Sequence, residues 1–388
     1  MVAGADRVLY FHTGTWKTGS TALQLFLHNN SAAMAAAGVS FEFPVKSDTS
    51  TGNGEYLSQR LFGNYVAPAE LGGILDAYFM GRGFAVCSSE RFTMFTQKEW
   101  LQIIDAAAGL NIKIRTITYV RDIVPFYYSW HAQLFKEGAH NCDISTYSQR
   151  DCYRPIIDSL RCMHELFGRE AMTVIHYEST IKNIDGPFMA ALPVQFEELD
   201  RTILAQQVNR SPTQIELEIM REAVQLTGCQ IAADLWDHLL KTRPDLKVDR
   251  EVDVELCAKL AARHKDDVSH LNATFFDGAD VVRIFQEQPA DDPQGAPGVE
   301  TPQAVYRGVA RWCLSRLAAS QDSSIIFIAE QLRQIDWKKI GHPALPADFD
   351  PIAYLLSNPD VLKSGARPCE HYMDHGRHEG RRWRWESR

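Results

Sequence analysis

A strand, a loop and a helix near the start of the chain constrain the fold more than any other stretch. Residues 8–12 form an apolar run typical of a buried strand, residues 13–21 read TGTWKTGST, and residues 22–27 are typical of a helix. Glycines allow a backbone to approach a ligand closely, and the free N–H groups at a helix N-terminus attract negative charge. The stretch therefore predicts an anion-binding loop after the first strand.

The rest of the first half alternates between strands and helices. Strands are predicted at 84–88, 112–120 and 172–177, with a short candidate at 39–43 and helices between them. Such alternation is typical of a parallel sheet. We therefore predict an α/β fold, a P-loop-like parallel β-sheet flanked by helices on both faces and followed by a mostly helical C-terminal region.

Polar side chains stand where several of these predicted strands end. Besides the first loop, Glu90, Arg121 and Glu178 each follow a strand. Ligands of parallel sheets bind beyond the carboxyl ends of the strands. We therefore expect these groups to meet at one edge of the sheet.

The longest Pro-, Gly- and acid-rich segment, residues 287–302, predicts a linker. It divides the chain into a domain at 1–286, with helical additions from about residue 212, and a helical extension at 303–388. A compact aromatic module is expected at 345–385.

Composition narrows the class of protein. The formal net charge of −9 over 388 residues argues against a general nucleic-acid binder. We find no apolar run long enough to span a membrane and no leader-like N-terminus, so we expect a cytoplasmic protein without a transmembrane segment. The eight cysteines include no CxxC pair and are expected to be reduced, although Cys142 and Cys152 flank a loop that a disulfide could bridge.

The loop departs from the Walker pattern G-x-x-x-x-G-K-[ST] at one place. Gly14 and Gly19 have the Walker spacing, but Ser20 stands where the lysine belongs, and Lys17 lies three residues earlier. The Walker lysine reaches the β- and γ-phosphates, and the next hydroxyl binds magnesium. The displaced lysine therefore argues against a magnesium-dependent kinase, which stays an alternative.

The same loop resembles the 5′-phosphosulfate loop of the sulfotransferases that use 3′-phosphoadenosine 5′-phosphosulfate (PAPS). That loop follows the first strand and reads approximately K-[ST]-G-[ST]-[ST]. The matching residues are Lys17, Thr18, Gly19, Ser20 and Thr21. His12-Thr13-Gly14 also matches the His-x-Gly that often precedes the lysine in bacterial members.

A second motif resembles the 3′-phosphate site of that family. Arg121 follows a predicted strand, and Ser129 comes eight residues later, about two turns along the same face of a helix. An arginine can bind a phosphate through two parallel N–H groups. In isolation this spacing would indicate only a salt bridge and a solvated serine; together with the loop it predicts a second phosphate site.

The resemblance covers about residues 5–285 and implies roles for these residues. Lys17 would stabilise the leaving phosphate, while Thr18, Ser20, Thr21 and the loop N–H groups would hold the 5′-phosphate. PAPS would be the donor, and no metal is required in the family.

A general base must take the proton of the acceptor, and Glu90 is our candidate. The family uses a Glu near this part of the fold in its carbohydrate- and tyrosine-acting members, and a His in small-molecule members. His12 and His131 are the alternatives. Glu90 has non-catalytic interpretations too, as a helix cap or as the ion-pair partner of Arg91.

Three weaker features complete the sequence. The Tyr177-Glu178 step resembles one that looks structural in the family. Arg210 could touch the donor or acceptor, or Ser211 could simply cap a helix. The motif at 349–381 resembles a short module of bacterial glycan-modifying and surface-associated proteins; its histidines and arginines are expected to form hydrogen bonds within a small helical hairpin rather than bind a metal.

Together these features predict a bacterial-type sulfotransferase that moves a sulfuryl group from PAPS to a hydroxyl, or less readily an amine, of a carbohydrate or glycolipid. The alternatives are another P-loop nucleotide-dependent transferase or kinase, and a non-catalytic glycan-binding or scaffold protein.

Overall fold

The computed structural model describes most of the first three hundred residues and part of the C-terminal region. The described residues are 7–44, 52–205, 253–285, 357–364 and 366–383, with single positions at 212, 217, 221, 236, 345, 346, 349, 351 and 354. The chain forms two compact units. The first comprises Met1–His131, Ile144–Val208 and Val252–Glu287, and the second comprises Ala132–Asp143, Asn209–Glu251 and Gln288–Arg388. The predicted linker and domain division stay predictions, because residues 286–344 lie outside the described residues.

Strands and helices alternate through the described part of the chain up to residue 176. The strands are β1 Arg7–His12, β2 Val39–Ser40, β3 Phe84–Ser88, β4 Ile112–Val120 and β5 Met172–His176. The helices among them are α1 Ser20–Asn29, α2 Ser31–Ala36, α3 Glu55–Leu61, α4 Pro68–Ala77, α5 Gln97–Ala108, α6 Ile123–Lys136, α7 Ile144–Tyr147 and α8 Arg154–Phe167. The helices that follow are α9 Asp185–Ala190, α10 Thr202–Ala205, α11 Val254–Phe275, α12 Pro359–Ser364 and α13 Pro368–His371.

The five strands form one parallel sheet in the order β2-β3-β1-β4-β5. The register places Phe11 of β1 opposite Cys87 of β3 and Thr116 of β4. The first strand is therefore central, and the loop that follows it emerges between the carboxyl ends of β3 and β4. The predicted parallel sheet is confirmed, although β2 is shorter than the predicted 39–43.

Neighbouring residues of β1 enter different cores, because successive side chains of a strand point to opposite faces. Tyr10 belongs to a buried cluster with Leu23 and Phe26 of α1. The ring of Phe11 instead contacts Trp100 of α5, with centroids 5.3 Å apart. Helices thus cover both faces, as the sequence predicted.

Two predicted elements differ in detail from the structure. The helix expected from residue 20 to 37 is interrupted at Asn30, whose side-chain Nδ2 donates to the carbonyls of Phe26 and Asp200, each at 2.9 Å. A side chain that bonds the backbone locally competes with helix continuation. The loop expected at 138–150 contains the short helix α7. The helices predicted at 212–227, 231–242 and 303–319 fall outside the described residues or touch only single positions of them.

The described tail of the second unit packs around tyrosines. Tyr354 is buried, and its hydroxyl is hydrogen-bonded to Nδ1 of His371 at 2.8 Å. Arg381 pairs with Asp360, with Nη1 and Oδ2 2.7 Å apart. Within the described tail, His371 thus forms a hydrogen bond and Arg381 an ion pair, which are contacts of the kind expected for this module.

None of the six cysteines that the structure describes forms a disulfide, and Cys142 and Cys152 are among them. No helix within the described ranges combines the length and apolarity that a membrane crossing requires.

Candidate functional site

Hydroxyl groups hold the first loop against the neighbouring strand and against itself. Oγ1 of Thr13 lies 2.5 Å from Oγ1 of Thr118 on β4. Thr15 donates to the carbonyl of Tyr119 at 2.6 Å, and Thr18 donates to the carbonyl of Thr15 at 2.6 Å. The hydroxyl proton of Thr18, which the sequence assigned to a phosphate, is thus directed into the loop.

Two residues of the loop have left-handed backbone conformations. Lys17 has a φ of 64° and Gly19 a φ of 76°. A Cβ atom at Gly19 would lie 2.5 Å from Cδ1 of Ile184 and 3.3 Å from Cε2 of Tyr177. Glycine is needed there for both backbone freedom and space. Lys17 has no such freedom, so its surroundings must stabilise its conformation.

The start of α1 supplies hydrogen-bond donors inside the loop. The first intrahelical bond runs from the N–H of Leu23 to the carbonyl of Gly19 at 3.1 Å, and earlier N–H groups have no partner within the helix. Ser20 is buried, and its Oγ has no hydrogen-bond partner among the described residues. A Cβ at Gly14 would lie 2.5 Å from that oxygen. Thr21, by contrast, is exposed. These donors suit an anion.

The guanidinium of Arg121 brings the two predicted phosphate motifs together. Its Nη1 donates to the carbonyl of Lys17 at 2.8 Å and to Oγ of Ser129 at 2.9 Å. Its Nε donates to Oε1 of Glu178 at 2.7 Å, and its Cζ lies 5.1 Å from the ring centroid of Tyr177. Arg121 thus forms a salt bridge, with Glu178, as the non-functional interpretation of the motif expected. Ser129, however, is buried and not solvated as that interpretation also expected.

Behind Arg121 lies a group of titratable side chains that the sequence analysis did not assemble. The backbone N–H of Asp122 donates to Oε2 of Glu178 at 3.0 Å, and Nε2 of His176 lies 3.0 Å from Oδ1 of Asp122. That same Oδ1 accepts from the backbone N–H of Arg283 at 2.8 Å. Each of the three residues lies at or just beyond the end of a strand. This position was the sequence feature that could have predicted their proximity.

Asp122, His176 and Glu178 also have the chemistry of metal ligands. One ligand atom from each lies within 4.8 Å of the others, and no second group of this kind occurs in the part of the chain that the structure describes. Both oxygens of Glu178, however, already accept hydrogen bonds from Arg121 and from the backbone of Asp122. The group is therefore arranged as a hydrogen-bond network around Arg121.

Glu90 lies in a segment whose residues before and after it form hydrogen bonds with the base of the loop. It begins a 3₁₀ helix, Glu90–Met94. The preceding N–H, of Ser89, donates to the carbonyl of His12 at 3.2 Å, and Oγ1 of Thr93 donates to the carbonyl of Gly14 at 3.4 Å. The half-buried Glu90 is thus kept beside the loop.

Two more acidic residues belong to segments near the end of β3, and the sequence analysis missed both. Glu55 pairs with Nε of Arg91 at 2.6 Å, so the described ion pair of Arg91 is with Glu55. Glu42 follows β2, and its carbonyl accepts from Nδ2 of Asn53 at 2.9 Å. Asn53 also accepts from the N–H of Ser88 at 2.8 Å. These long-range contacts bring the segments of Glu42, Asn53 and Glu55 to the end of β3. The spacing of the residues along the sequence does not reveal this arrangement.

The two alternative bases lie in the interior. His12 is buried, with Nδ1 hydrogen-bonded to Oγ of Ser88 at 2.8 Å and its ring against Phe188. Burial lowers the pKa of His12 to about 3. His131 is also buried, and its ring contacts that of Tyr147 at 5.2 Å. A neutral, enclosed His12 is poorly suited to accept a proton from a substrate.

Aromatic rings stand beside both phosphate motifs. Trp16, next to Lys17, stacks on Trp130, next to Ser129, with centroids 4.8 Å apart and planes inclined by 13°. Phe126 continues the stack behind Trp130 at 6.5 Å and 19°. Phe126 is buried, whereas both tryptophans are only half-buried. The stack therefore runs from the interior toward the surface.

A comparison with solved structures finds a likeness to a sulfotransferase. The alignment with the crystal structure of a sulfotransferase from Alicyclobacillus acidocaldarius covers 71% of this chain and 97% of the sulfotransferase chain. The sequence identity is 13%, and the TM-score is 0.38. No family model and no curated protein matches the sequence. The fold class of this chain is therefore described from its own parallel sheet.

Arg210 and Ser211, which the sequence analysis considered as a ligand contact and a helix cap, lie outside the described residues.

The loop predicts different outcomes for two glycine substitutions. Gly19→Ala should destabilise the fold by about 1–2 kcal/mol from the left-handed backbone alone, and more from the contact with Ile184. Gly73→Ala, in the middle of α4 with open space around it, should stabilise by about 0.5–1 kcal/mol. Urea unfolding of both variants measures the difference. Equal effects would contradict the conformational requirement at Gly19.

The buried His12 predicts a pH dependence of stability. Its pKa is about 3 in the folded chain and about 6.5 in an unfolded one. Between these values the unfolded state binds the proton, so stability should fall as the pH decreases from about 6.5, by up to about 1.4 kcal/mol per pH unit. Urea unfolding at pH 7 and pH 5 should show a shallower dependence in His12→Gln. An unchanged dependence would contradict the assignment.

Proposed function

We propose that this chain is a PAPS-dependent sulfotransferase that transfers a sulfuryl group to a hydroxyl, or less readily an amine, of a carbohydrate or glycolipid. One observation carries the proposal. Nη1 of Arg121 lies within hydrogen-bond distance of both the carbonyl of Lys17 and the hydroxyl of Ser129. Two motifs that are far apart in sequence, each resembling a phosphate site, are thereby adjacent, as a nucleotide with a 3′- and a 5′-phosphate requires.

Arg121 and Ser129 would hold the 3′-phosphate. A guanidinium has five N–H donors in a fixed plane. The described contacts use Nε and Nη1, and no described residue accepts from Nη2. The two N–H groups of Nη2 would therefore serve the phosphate, and Ser129 adds a neighbouring hydroxyl. Charge-assisted hydrogen bonds of this kind are roughly twice as strong as neutral ones.

The loop would hold the 5′-phosphosulfate. The first-turn N–H groups of α1 and the hydroxyl of Ser20 provide donors, and the helix adds roughly half a positive charge at its N-terminus. As the S–O bond breaks, the leaving phosphate gains negative charge, which the ammonium of Lys17 would stabilise. Stabilising charge that develops in the transition state is commonly the largest contribution to such catalysis. This role uses no metal.

Glu90 would take the proton of the acceptor. The hydrogen bonds of Ser89 and Thr93 to the base of the loop keep its segment next to the donor site. A carboxylate placed to remove a proton as the acceptor oxygen attacks sulfur contributes typically 10²–10⁴-fold to the rate. The acidic residues of two neighbouring segments, Glu42 and Glu55, provide the comparison.

The stacked tryptophans support a ring-shaped acceptor. Trp16 and Trp130 flank the residues assigned to the two phosphates, and Trp16 is the last ring of the stack described above. Aromatic faces bury large apolar areas and favour stacked partners. The apolar face of a sugar ring would pack there with its hydroxyls directed toward Lys17 and Glu90.

The donor site predicts a specific binding profile. The nucleotide product of the transfer, 3′-phosphoadenosine 5′-phosphate (PAP), should bind in the presence of EDTA, as measured by isothermal titration calorimetry. Arg121→Ala should weaken PAP binding about 10–100-fold, since a hydrogen bond to a charged group is worth about 1.5–3 kcal/mol. Arg161→Ala is the matched control, because Arg161 also pairs with a largely buried carboxylate, that of Asp267. Binding of ATP that depends on magnesium, without PAP binding, would contradict the proposal.

The assignment of the base predicts a ranking of three variants. With labelled PAPS and a panel of carbohydrate acceptors, Glu90→Gln should lower kcat about 10²–10⁴-fold and leave PAP affinity unchanged. Glu42→Gln and Glu55→Gln should stay within a few fold of the unmodified chain. Loss of activity in one of these, with Glu90→Gln active, would reassign the base. Sulfation unaffected by both Lys17→Ala and Glu90→Gln would favour a non-catalytic protein.

A further inference from the structure

Glu178 holds the guanidinium of Arg121 from behind at two points. Its Oε1 accepts from Nε of Arg121 at 2.7 Å, and its Oε2 accepts from the backbone N–H of Asp122 at 3.0 Å. The carboxylate therefore connects the side chain of Arg121 to the peptide group that follows it. The side chains of Arg121 and Glu178 are only 11% and 15% exposed, so water competes weakly for these bonds.

This hold determines where the remaining N–H groups point. A guanidinium is planar and rigid, so fixing Nε fixes the directions of Nη1 and Nη2. With Nε on Glu178, Nη1 reaches the carbonyl of Lys17 and the hydroxyl of Ser129. Rotation of the guanidinium would break the bond to the Lys17 carbonyl, which belongs to a residue with a strained left-handed backbone. Glu178 thus acts through Arg121 on the loop.

A second layer fixes Glu178 in turn. Nε2 of His176 lies 3.4 Å from Oε2 of Glu178 and 3.0 Å from Oδ1 of Asp122. The same Oδ1 accepts from the backbone N–H of Arg283. Asp122 and His176 are both buried. The carboxylate of Glu178 is consequently contacted by His176 of β5 and by the backbone of Asp122 just before α6, while Arg283 acts on it only through Asp122.

We propose that Glu178 is a positioning residue for the 3′-phosphate of the nucleotide, acting through Arg121 and supported by Asp122 and His176. The role rests on the proposed function of the site. Glu178 touches neither the phosphate nor the reacting atoms. It directs Nη2 toward the phosphate and keeps Nη1 on the loop, so that the two ends of the nucleotide are recognised in one arrangement.

The same three side chains could instead bind a divalent cation. A metal there would share the Glu178 carboxylate with the guanidinium of Arg121, whose Nε lies 2.7 Å from Oε1, and the positive charge of Arg121 opposes a second cation beside it. The hydrogen-bond network is therefore the reading that the distances favour, and the response to zinc and to EDTA distinguishes the two.

The test compares PAP with 5′-AMP, which differs from it only by lacking the 3′-phosphate. Binding of both to the full chain is measured by calorimetry in EDTA and again with added Zn²⁺. Glu178→Ala should weaken PAP binding about 10–100-fold. It should weaken 5′-AMP binding only a few fold, because 5′-AMP loses the support of the loop through the Lys17 carbonyl but has no 3′-phosphate for Nη2 to bind. Glu178→Gln should recover part of the loss, since an amide oxygen still accepts from Nε. Asp267→Asn, at the matched carboxylate of Arg161, should change neither.

Each outcome separates this role from the proposed function. An unmodified chain that does not prefer PAP to 5′-AMP would overturn the proposed function and this role with it. An unmodified chain that prefers PAP, with Glu178→Ala binding it as tightly or more tightly, would overturn this role alone. An equal loss for both ligands would reduce Glu178 to a structural residue. Binding that requires Zn²⁺ and is lost in EDTA would establish the metal site instead.

Discussion

The contact between Arg121 and the carbonyl of Lys17 is the interaction on which the candidate site depends. The loop after β1 contains a left-handed lysine, which is an unfavourable conformation for a residue with a side chain. The hydrogen bond from Nη1 opposes its relaxation. The same nitrogen also binds Ser129. A single guanidinium therefore couples the shape of the loop after β1 to the first turns of α6, and this coupling requires that Arg121 be held in turn.

The order of the strands makes this coupling possible. With β1 in the centre of the sheet, its loop is flanked by the end of β4, which carries Arg121, and by the end of β3, which leads to Glu90. The end of β5 brings Glu178 to the far side of Arg121. Polar residues that follow four different strands thus share one edge because the strands are parallel. An antiparallel pairing would have sent half of them to the opposite edge.

Burial divides the titratable groups of this region into two kinds. His12 is enclosed, and the loss of hydration lowers its pKa to about 3, so it remains neutral at the pH values at which enzymes work. Glu90, Lys17 and Arg121 are half-buried and keep access to a ligand. Partly exposed charged groups therefore surround the loop, and a neutral histidine lies beneath it.

The sequence by itself determined the alternation of strands and helices around the candidate site, and it predicted the two motifs that the proposal uses. Among the described residues, apolar β-branched runs and helix periodicity predicted the strands and most of the longer helices, because both depend on local patterns. It did not reveal that Asn30 interrupts a helix, that Asn53 draws Glu42 toward the end of β3, or that Asp122, His176 and Glu178 converge behind Arg121. Only the tertiary structure decided these contacts, because each joins side chains from segments that no spacing along the chain relates. The sheet order, rather than any local preference, determines which strand ends become neighbours.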